Sequence, residues 1–296
     1  MTESYESQHV ADPHDDGGAL PRIAMLGVGS MGGAILAGLR APGTRVARPV
    51  TVTTRSQASA EALAGDTDVI VLAGETEPAA NRIAVRGARL VVLAVKPWLI
   101  HEVLREISGE LEPDAIVISV AAGVTTASME ALLPEGIAVV RAMPNTPANV
   151  GLGVTGIAGG ARAGTEAIEL ARSLFATVGE VLVVTEAQIN AVAAVSGSGP
   201  AYLFWFAEQL TAAAQRLGFD EDQARVLAQG TVVGAAELMR ATGEDPAELR
   251  RKVTSPKGTT EQAILVLQGA GWDVALDAAL AANIRRSEEI EAAARE

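Results

Sequence analysis

The sequence predicts an α/β fold: a parallel sheet with helices on both faces, followed by an all-helical C-terminal domain. Three observations predict it. Apolar, β-branched runs alternate with helical periods from residue 21 to residue 185. The first of these runs, beginning at Ile23, leads into Gly27-x-Gly29-x-x-Gly32 and then into helical spacing at Met31, Ile35, Leu36 and Leu39. From Glu186 onward strand-like runs stop and long helical periods take over. Residues 1–20 are polar and acidic and are expected to form a disordered extension. The expected domains are therefore 1–20, 21–185 and 186–296.

Composition narrows the functional classes. A chain of 296 residues, 49% of them hydrophobic, has ample material for about two domains. No apolar run reaches the roughly 18 uncharged residues of a membrane helix. The first twenty residues have neither a basic n-region nor an apolar h-region, so no secretory signal is read there and a cytoplasmic protein is expected. The absence of cysteine excludes disulfides, thiol catalysis and thiolate metal sites. A net charge of −13 without any basic run argues against nucleic acid or anionic membrane as a partner. His9, His14 and His101 are the only histidines; two fall in the tail, and His101 is expected on a helix surface. No metal site is expected, and no histidine general acid.

The glycine-rich run is the chemical centre. A strand ending in a glycine turn and starting a helix has the shape that holds a dinucleotide. Gly27 allows the tight turn, Gly29 lets the backbone approach a pyrophosphate, and Gly32 lets helix and strand pack closely. The helix N-terminus faces the phosphate charge. The second strand, Pro49–Thr54, ends in Thr53-Thr54-Arg55-Ser56, with no acid before Glu61. An acid there would hold the ribose 2′-hydroxyl of NAD; a guanidinium with hydroxyls suits a 2′-phosphate instead. NADP is expected, with NAD possible. The alternative is that Arg55 is a solvated loop residue.

Helix and strand then alternate: Gln57–Leu63 helix, Thr67–Leu72 strand, Pro78–Arg86 helix, Leu90–Val95 strand, Trp98–Ile107 helix. Ala115–Val120 and Ile137–Ala142 are further strands, and Gly151–Ala158, a helix over Thr165–Ala176 and Glu180–Val184 complete the domain. Such alternation implies right-handed crossovers and a parallel sheet, with ligands beyond the carboxyl ends of the strands. That brings Lys96-Pro97, Ala121–Gly123 and Met143–Pro147 to one crevice. Lys96 is either a ligand contact or a cap in which Pro97 starts the next helix. In Arg141–Pro147, two prolines are expected to freeze an extended polar loop suited to positioning a ligand, the alternative being a structural turn.

In the helical region, Ile189–Leu217 is apolar almost all round and must be covered on most sides. A second subunit is expected to cover it, giving an obligate homodimer or larger homo-oligomer. Ser196-Gly197-Ser198-Gly199-Pro200 interrupts it. Asp220–Ala241 and Trp272–Ala294 are further helices, the last with Arg285, Arg286 and three glutamates on a solvated face. Val253–Thr260, VTSPKGTT, precedes a helix over Glu261–Gln268. Ser255, Thr259 and Thr260 set hydroxyls at a helix start whose free N–H groups suit a carboxylate. The alternative is an ordinary cap, Thr259 answered by Gln262.

GVGSMGGAI, LAVKPW, RAMPNTPANVGLG, VSGSGPAYLF and VTSPKGTTEQAI occur in the order found in pyrroline-5-carboxylate reductases, and the resemblance runs from about residue 21 to the C-terminus. It implies a Rossmann-type N-terminal domain and a helical C-terminal dimerisation domain that interlocks with its partner. It implies NAD(P)H-dependent reduction of 1-pyrroline-5-carboxylate to L-proline, the last step of proline biosynthesis. It also implies roles: Gly27, Gly29, Ser30, Met31 and Gly32 at the pyrophosphate; Thr54, Arg55 and Ser56 at the adenosine ribose; Asn81 on the cofactor. Ala94, Val95, Lys96, Pro97, Ala122, Gly123, Met143 and Asn145 would surround ribose and nicotinamide. Ser255 and the Gly258, Thr259 and Thr260 amides would hold the substrate carboxylate, and Thr260 would serve as the catalytic hydrogen-bond partner of the ring nitrogen. Lys257 stands where the family has a small residue, most often glycine, and would either attract the carboxylate or restrict the backbone. Glu261-Gln262 is also less usual.

A cyclic imine has a weakly basic nitrogen, so water or a hydroxyl suffices as proton source, which fits the histidine deficit. The rivals are another imine or β-hydroxyacid reductase on this scaffold, and a non-catalytic dinucleotide-binding regulator. No lysine lies between Lys96 and Lys252, which counts against a hydroxyacid enzyme with a lysine on its interdomain helix.

Overall fold

The structure is a computed structural model that describes residues 19–293 except Ala64 and Asp66. Most of the expected disordered extension lies outside the described residues. Leu20, assigned to that extension, is buried and bridges Val46.

Two compact units are present. One is built from the described residues of Met1–Gly197 and Ser287–Glu296, the other from Ser198–Arg286. In sequence order the first unit runs β1 (Ile23–Leu26), α1 (Ser30–Leu39), β2 (Val50–Thr54), α2 (Gln57–Glu61), β3 (Val69–Ala73), α3 (Ala80–Val85), β4 (Leu90–Leu93) and α4 (Ile100–Ile107). It continues with β5 (Ile116–Ser119), α5 (Thr126–Glu130), β6 (Ala138–Met143), β7 (Gly153–Gly159), α6 (Thr165–Ala176), β8 (Gly179–Val183) and α7 (Ile189–Val192).

The eight strands form one sheet in the order β3-β2-β1-β4-β5-β6-β7-β8. The order reverses between β1 and β4, so their carboxyl ends diverge and open a crevice above the glycine turn. The central strands β1, β2, β4 and β5 are buried along their whole length, as continuous apolar strands covered on both faces should be. One clustered core lies on the α1 and α6 side, around Ile35, Leu39, Leu174 and Phe175. The other lies on the α3 and α4 side, around Val85, Ile100, Leu104 and Ile107.

The expected parallel sheet is present, with one pairing that departs from it. β6 and β7 pair antiparallel, Arg141 opposite Ala158. Only a short connection separates them, too short for a helical crossover. That connection corrects a second expectation. The two-proline loop is not extended throughout: Thr146–Val150 is a 3-10 turn with Pro147 in its first positions. There the missing N–H and fixed φ of proline favour a helical start. The fourth strand ends at Leu93, because Lys96 and Pro97 begin another short 3-10 turn. His101 is half-buried rather than on the surface, with Nε2 3.3 Å from Ser128 Oγ.

The second unit is helical: α8 (Gly199–Arg216), α9 (Glu221–Thr242), α10 (Pro246–Lys252), α11 (Thr259–Gly269) and α12 (Trp272–Ala293), whose last turns belong to the first unit. The expected Ile189–Leu217 helix is broken by a π turn over Ala193–Gly197 before α8 begins. α10 was not anticipated, although Asp245 caps it and Pro246 opens it. Phe206 and Trp272 meet edge to face at 6.2 Å. Among the described residues of α8, no side chain is fully buried, and Leu203, Phe204 and Trp205 are 56%, 69% and 56% exposed. So large an apolar surface marks an interaction face. No single helix among the described residues is long and apolar enough to cross a membrane.

Candidate active site

The glycine loop has the geometry its spacing predicts. Gly27 adopts φ +84°, and a Cβ there would press on Val95 at 2.8 Å. A Cβ on Gly32 would lie 2.7 Å from the Gly27 carbonyl oxygen and 3.2 Å from the Ala94 side chain. Gly29 is the N-cap of α1 and supplies no side-chain cap, so the N–H groups at the start of α1, beginning at Ser30 and Met31, are left for a ligand. That open, helix-ended turn fits a pyrophosphate.

The turn is held from the next strand. Gly27 N–H donates to Thr53 Oγ1 at 3.2 Å, Thr53 Oγ1 donates to Asn81 Oδ1 at 2.9 Å, and Asn81 Nδ2 donates to Glu106 Oε2 at 2.9 Å. This chain ties β1, β2, α3 and α4 together at the mouth of a cleft of about 1000 Å³. The cleft is lined by Gly27, Thr53, Arg55, Glu75, Asn81 and Val95 among others. Thr53 was expected among hydroxyls suited to a 2′-phosphate, but its hydroxyl is instead engaged with Gly27 and Asn81; Glu106 was not anticipated.

The three residues assigned to the adenosine end are not equivalent. Thr54 is buried and its hydroxyl donates to Ser56 O at 3.0 Å. Ser56 caps α2, its Oγ accepting from Ser59 N at 3.3 Å. Both hydroxyls shape the loop, which leaves Arg55 exposed and without an ion pair among the described residues. Arg82, the other cation of the cleft, is neutralised. Arg86 and Arg82 hydrogen-bond Glu110 and hold its carboxyl at about 2, below the ordinary carboxylate range.

Along β4's end, Ala94 N–H donates to Leu26 O at 2.9 Å, and Lys96 uses its backbone, its carbonyl accepting from Leu99 N at 2.9 Å. Pro97 occupies the first position of the following turn. Ala122 is exposed, whereas Gly123, at φ +76°, is buried under Ile290, whose methyl would lie 2.5 Å from an added Cβ. Asn145 is 7% exposed, and its side chain is engaged on every side. Its Oδ1 accepts from Val154 N at 2.8 Å, and its Nδ2 donates to Ser196 O and Oγ at 3.1 and 3.2 Å. It pins the loop after β6 to β7 and to the π turn. Met143 packs beside Gly197, where a Cβ would meet its methyl at 3.1 Å.

A buried charge group underlies this loop and was missed from the sequence. Arg141 Nη1 lies 2.8 Å from Glu291 Oε1 and 3.5 Å from Glu186 Oε1, and Arg141 Nη2 donates to Asn190 Oδ1 at 3.3 Å. Glu186 in turn accepts from Thr126 N at 2.8 Å and from the Thr126 hydroxyl. Glu291 is therefore not on a solvated face: its side chain is 13% exposed. A charged residue inside the apolar run Val139–Ala142 demands a buried partner, and that demand was the available signal.

In the second unit, Gly258 is the N-cap of α11 with no side-chain cap, and Thr259 and Thr260 are its first two residues. The ordinary cap through Thr259 is thus not formed. A Cβ on Gly258 would run into the Ser255 hydroxyl. Lys257 has φ +60°, the one non-glycine residue at positive φ among the described residues. Its N–H donates to Glu261 Oε2 at 2.7 Å. The two departures in this loop are therefore joined by a hydrogen bond. No group of histidine, aspartate and glutamate side chains suited to a metal occurs among the described residues.

Residues 22–123 match the family model described as NADP oxidoreductase, coenzyme F420-dependent. Residues 186–290 match the one described as pyrroline-5-carboxylate reductase dimerisation. Sheet order, glycine turn, cleft and the first of these matches define a dinucleotide-binding oxidoreductase of Rossmann type. The chain is similar to the pyrroline-5-carboxylate reductase of Pseudomonas aeruginosa, 40% identical over 271 residues covering 91% of this chain and 97% of that protein. The reductase of Corynebacterium melassecola is also 40% identical, over 90% of this chain and 98% of its own. In structure it resembles a pyrroline-5-carboxylate reductase of Coxiella burnetii, with a TM-score of 0.83 and 38% identity over 92% of this chain and 98% of that one. The chain belongs to the pyrroline-5-carboxylate reductase family.

Proposed function

We propose that this chain reduces 1-pyrroline-5-carboxylate to L-proline, using NADPH and also accepting NADH, as a cytoplasmic homo-oligomer. The observation that carries the reading is that similarity to named pyrroline-5-carboxylate reductases runs through both units, covering 97% of the Pseudomonas aeruginosa protein. The reading as another imine or hydroxyacid reductase has no comparable support.

The dinucleotide is assigned to the cleft above Gly27, Gly29 and Gly32, with its pyrophosphate on the uncapped start of α1. Bound nicotinamide dinucleotide supplies the hydride that reaches the C=N carbon. The protein's own residues orient and exclude. Val95, Met143 and the Asn145-pinned loop give the nicotinamide end a fixed wall. The N–H groups of Gly258, Thr259 and Thr260, with Ser255, hold the substrate carboxylate at the open start of α11. The Thr260 hydroxyl donates to the ring nitrogen, which takes its proton from that hydroxyl or from water. Orientation of two reactants supplies most of the acceleration, which is why the site works without a histidine. The exposed apolar face of α8 is assigned to a second copy of the chain.

The test is a steady-state assay of the assembled protein with 1-pyrroline-5-carboxylate and either NADPH or NADH. Loss of nicotinamide absorbance with stoichiometric proline is the expected result. Binding of the dinucleotide without turnover would replace this reading with that of a regulator.

A further inference from the structure

We propose that Glu75 sets the coenzyme preference of this chain, acting as the acid that the second strand lacks. The proposal rests on reading the cleft as the dinucleotide site. Along β2 no acid follows Thr54, so one strand read alone points to a 2′-phosphate. The sheet changes that. β3 pairs with β2 in register, Thr54 opposite Ala73, and the pairing continues past both strand ends. Gly74 N–H donates to Thr54 O at 2.9 Å and Glu75 N–H to Arg55 O at 3.1 Å. Arg55 and Glu75 therefore leave the sheet side by side and both line the cleft.

The Glu75 side chain turns towards the β2–α2 connection, where its Oε2 accepts from Gln57 N at 2.9 Å. The hydroxyls of Thr54 and Ser56 are engaged within that connection. A 2′-phosphate arriving here meets the Arg55 guanidinium, without an ion pair among the described residues, and the Glu75 carboxylate. The phosphate carries a charge of about −1.5 to −2 near neutral pH, so Arg55 attracts it and Glu75 repels it. A ribose 2′-hydroxyl instead donates to the carboxylate, as in sites built for NAD. The Arg55–Glu75 pair keeps both coenzymes usable, and Glu75 limits the advantage of NADPH.

The experiment measures dissociation constants of NADPH and NADH on the assembled protein without imine, for the wild type, Glu75→Gln and Glu75→Asp. Glutamine keeps an oxygen for Gln57 N–H and removes the charge. Glu75→Gln is expected to tighten NADPH about tenfold and to weaken NADH about threefold, while Glu75→Asp keeps the wild-type ratio. An unchanged NADPH to NADH ratio in Glu75→Gln, or an equal loss of both, overturns the role of Glu75. A wild-type chain that binds neither coenzyme overturns the cleft assignment itself. Because no imine is present, the outcome does not depend on turnover.

Discussion

Arg141 and Glu291 form a buried ion pair between β6 and the last turns of α12, with Arg141 Nη1 2.8 Å from Glu291 Oε1 and side-chain exposures of 3% and 13%. Glu291 Oε1 receives no aligned N–H, so the attraction is coulombic rather than that of a directed hydrogen bond. Removing one partner leaves the other charge buried and uncompensated. Arg141→Ala should lower stability by about 3–5 kcal/mol, read as the denaturant midpoint of the assembled protein. Glu291→Gln should cost less, because Glu186 remains 3.5 Å away. An Arg141→Ala midpoint equal to that of the wild type would show that the pair holds nothing together.

Arg55 has no ion pair among the described residues and stands beside the proposed adenosine end. Arg55→Ala should weaken NADPH about tenfold, the value of one charge-assisted hydrogen bond, and leave NADH within about twofold. Titration of both coenzymes checks it, and equal losses would reject a phosphate contact.

Lys257 holds a left-handed conformation that costs an L-residue about 1 kcal/mol or more. Lys257→Gly should raise the unfolding temperature, and Glu261→Ala, which removes the acceptor of the Lys257 N–H, should lower it. A lower midpoint in Lys257→Gly would mean that the lysine side chain contributes more than its backbone costs.

Thr260 stands at the second position of α11, beside an N-cap glycine that leaves the helix start open. Thr260→Ala should cut kcat by about ten- to a hundredfold while the NADPH dissociation constant moves less than about twofold. Wild-type turnover would remove Thr260 from the reaction.

Much of this arrangement was legible along the chain because it follows from local rules. Gly27 and Gly32 announce a turn whose close approaches the structure contains, and the first six strands announced themselves as apolar or β-branched runs. What escaped was set by neighbours distant in sequence. Glu75 lies beside Arg55 only because β3 pairs with β2. Glu291 leaves its helix surface only because Arg141 is buried in β6. Periodicity also says nothing of strand direction, so the β6–β7 reversal was hidden. The prolines at positions 144 and 147 were assigned an extended path, although Pro147 suits the first turn of a 3-10 helix equally well.

The central claim is direct hydride delivery to a carboxylated cyclic imine. The most direct measurement uses NADPH deuterated at the transferable position of nicotinamide C4, with 1-pyrroline-5-carboxylate in ordinary water and mass analysis of the product. The account predicts proline carrying a single deuterium on the former imine carbon. Proline without deuterium, or coenzyme unchanged in the presence of the imine, would contradict it.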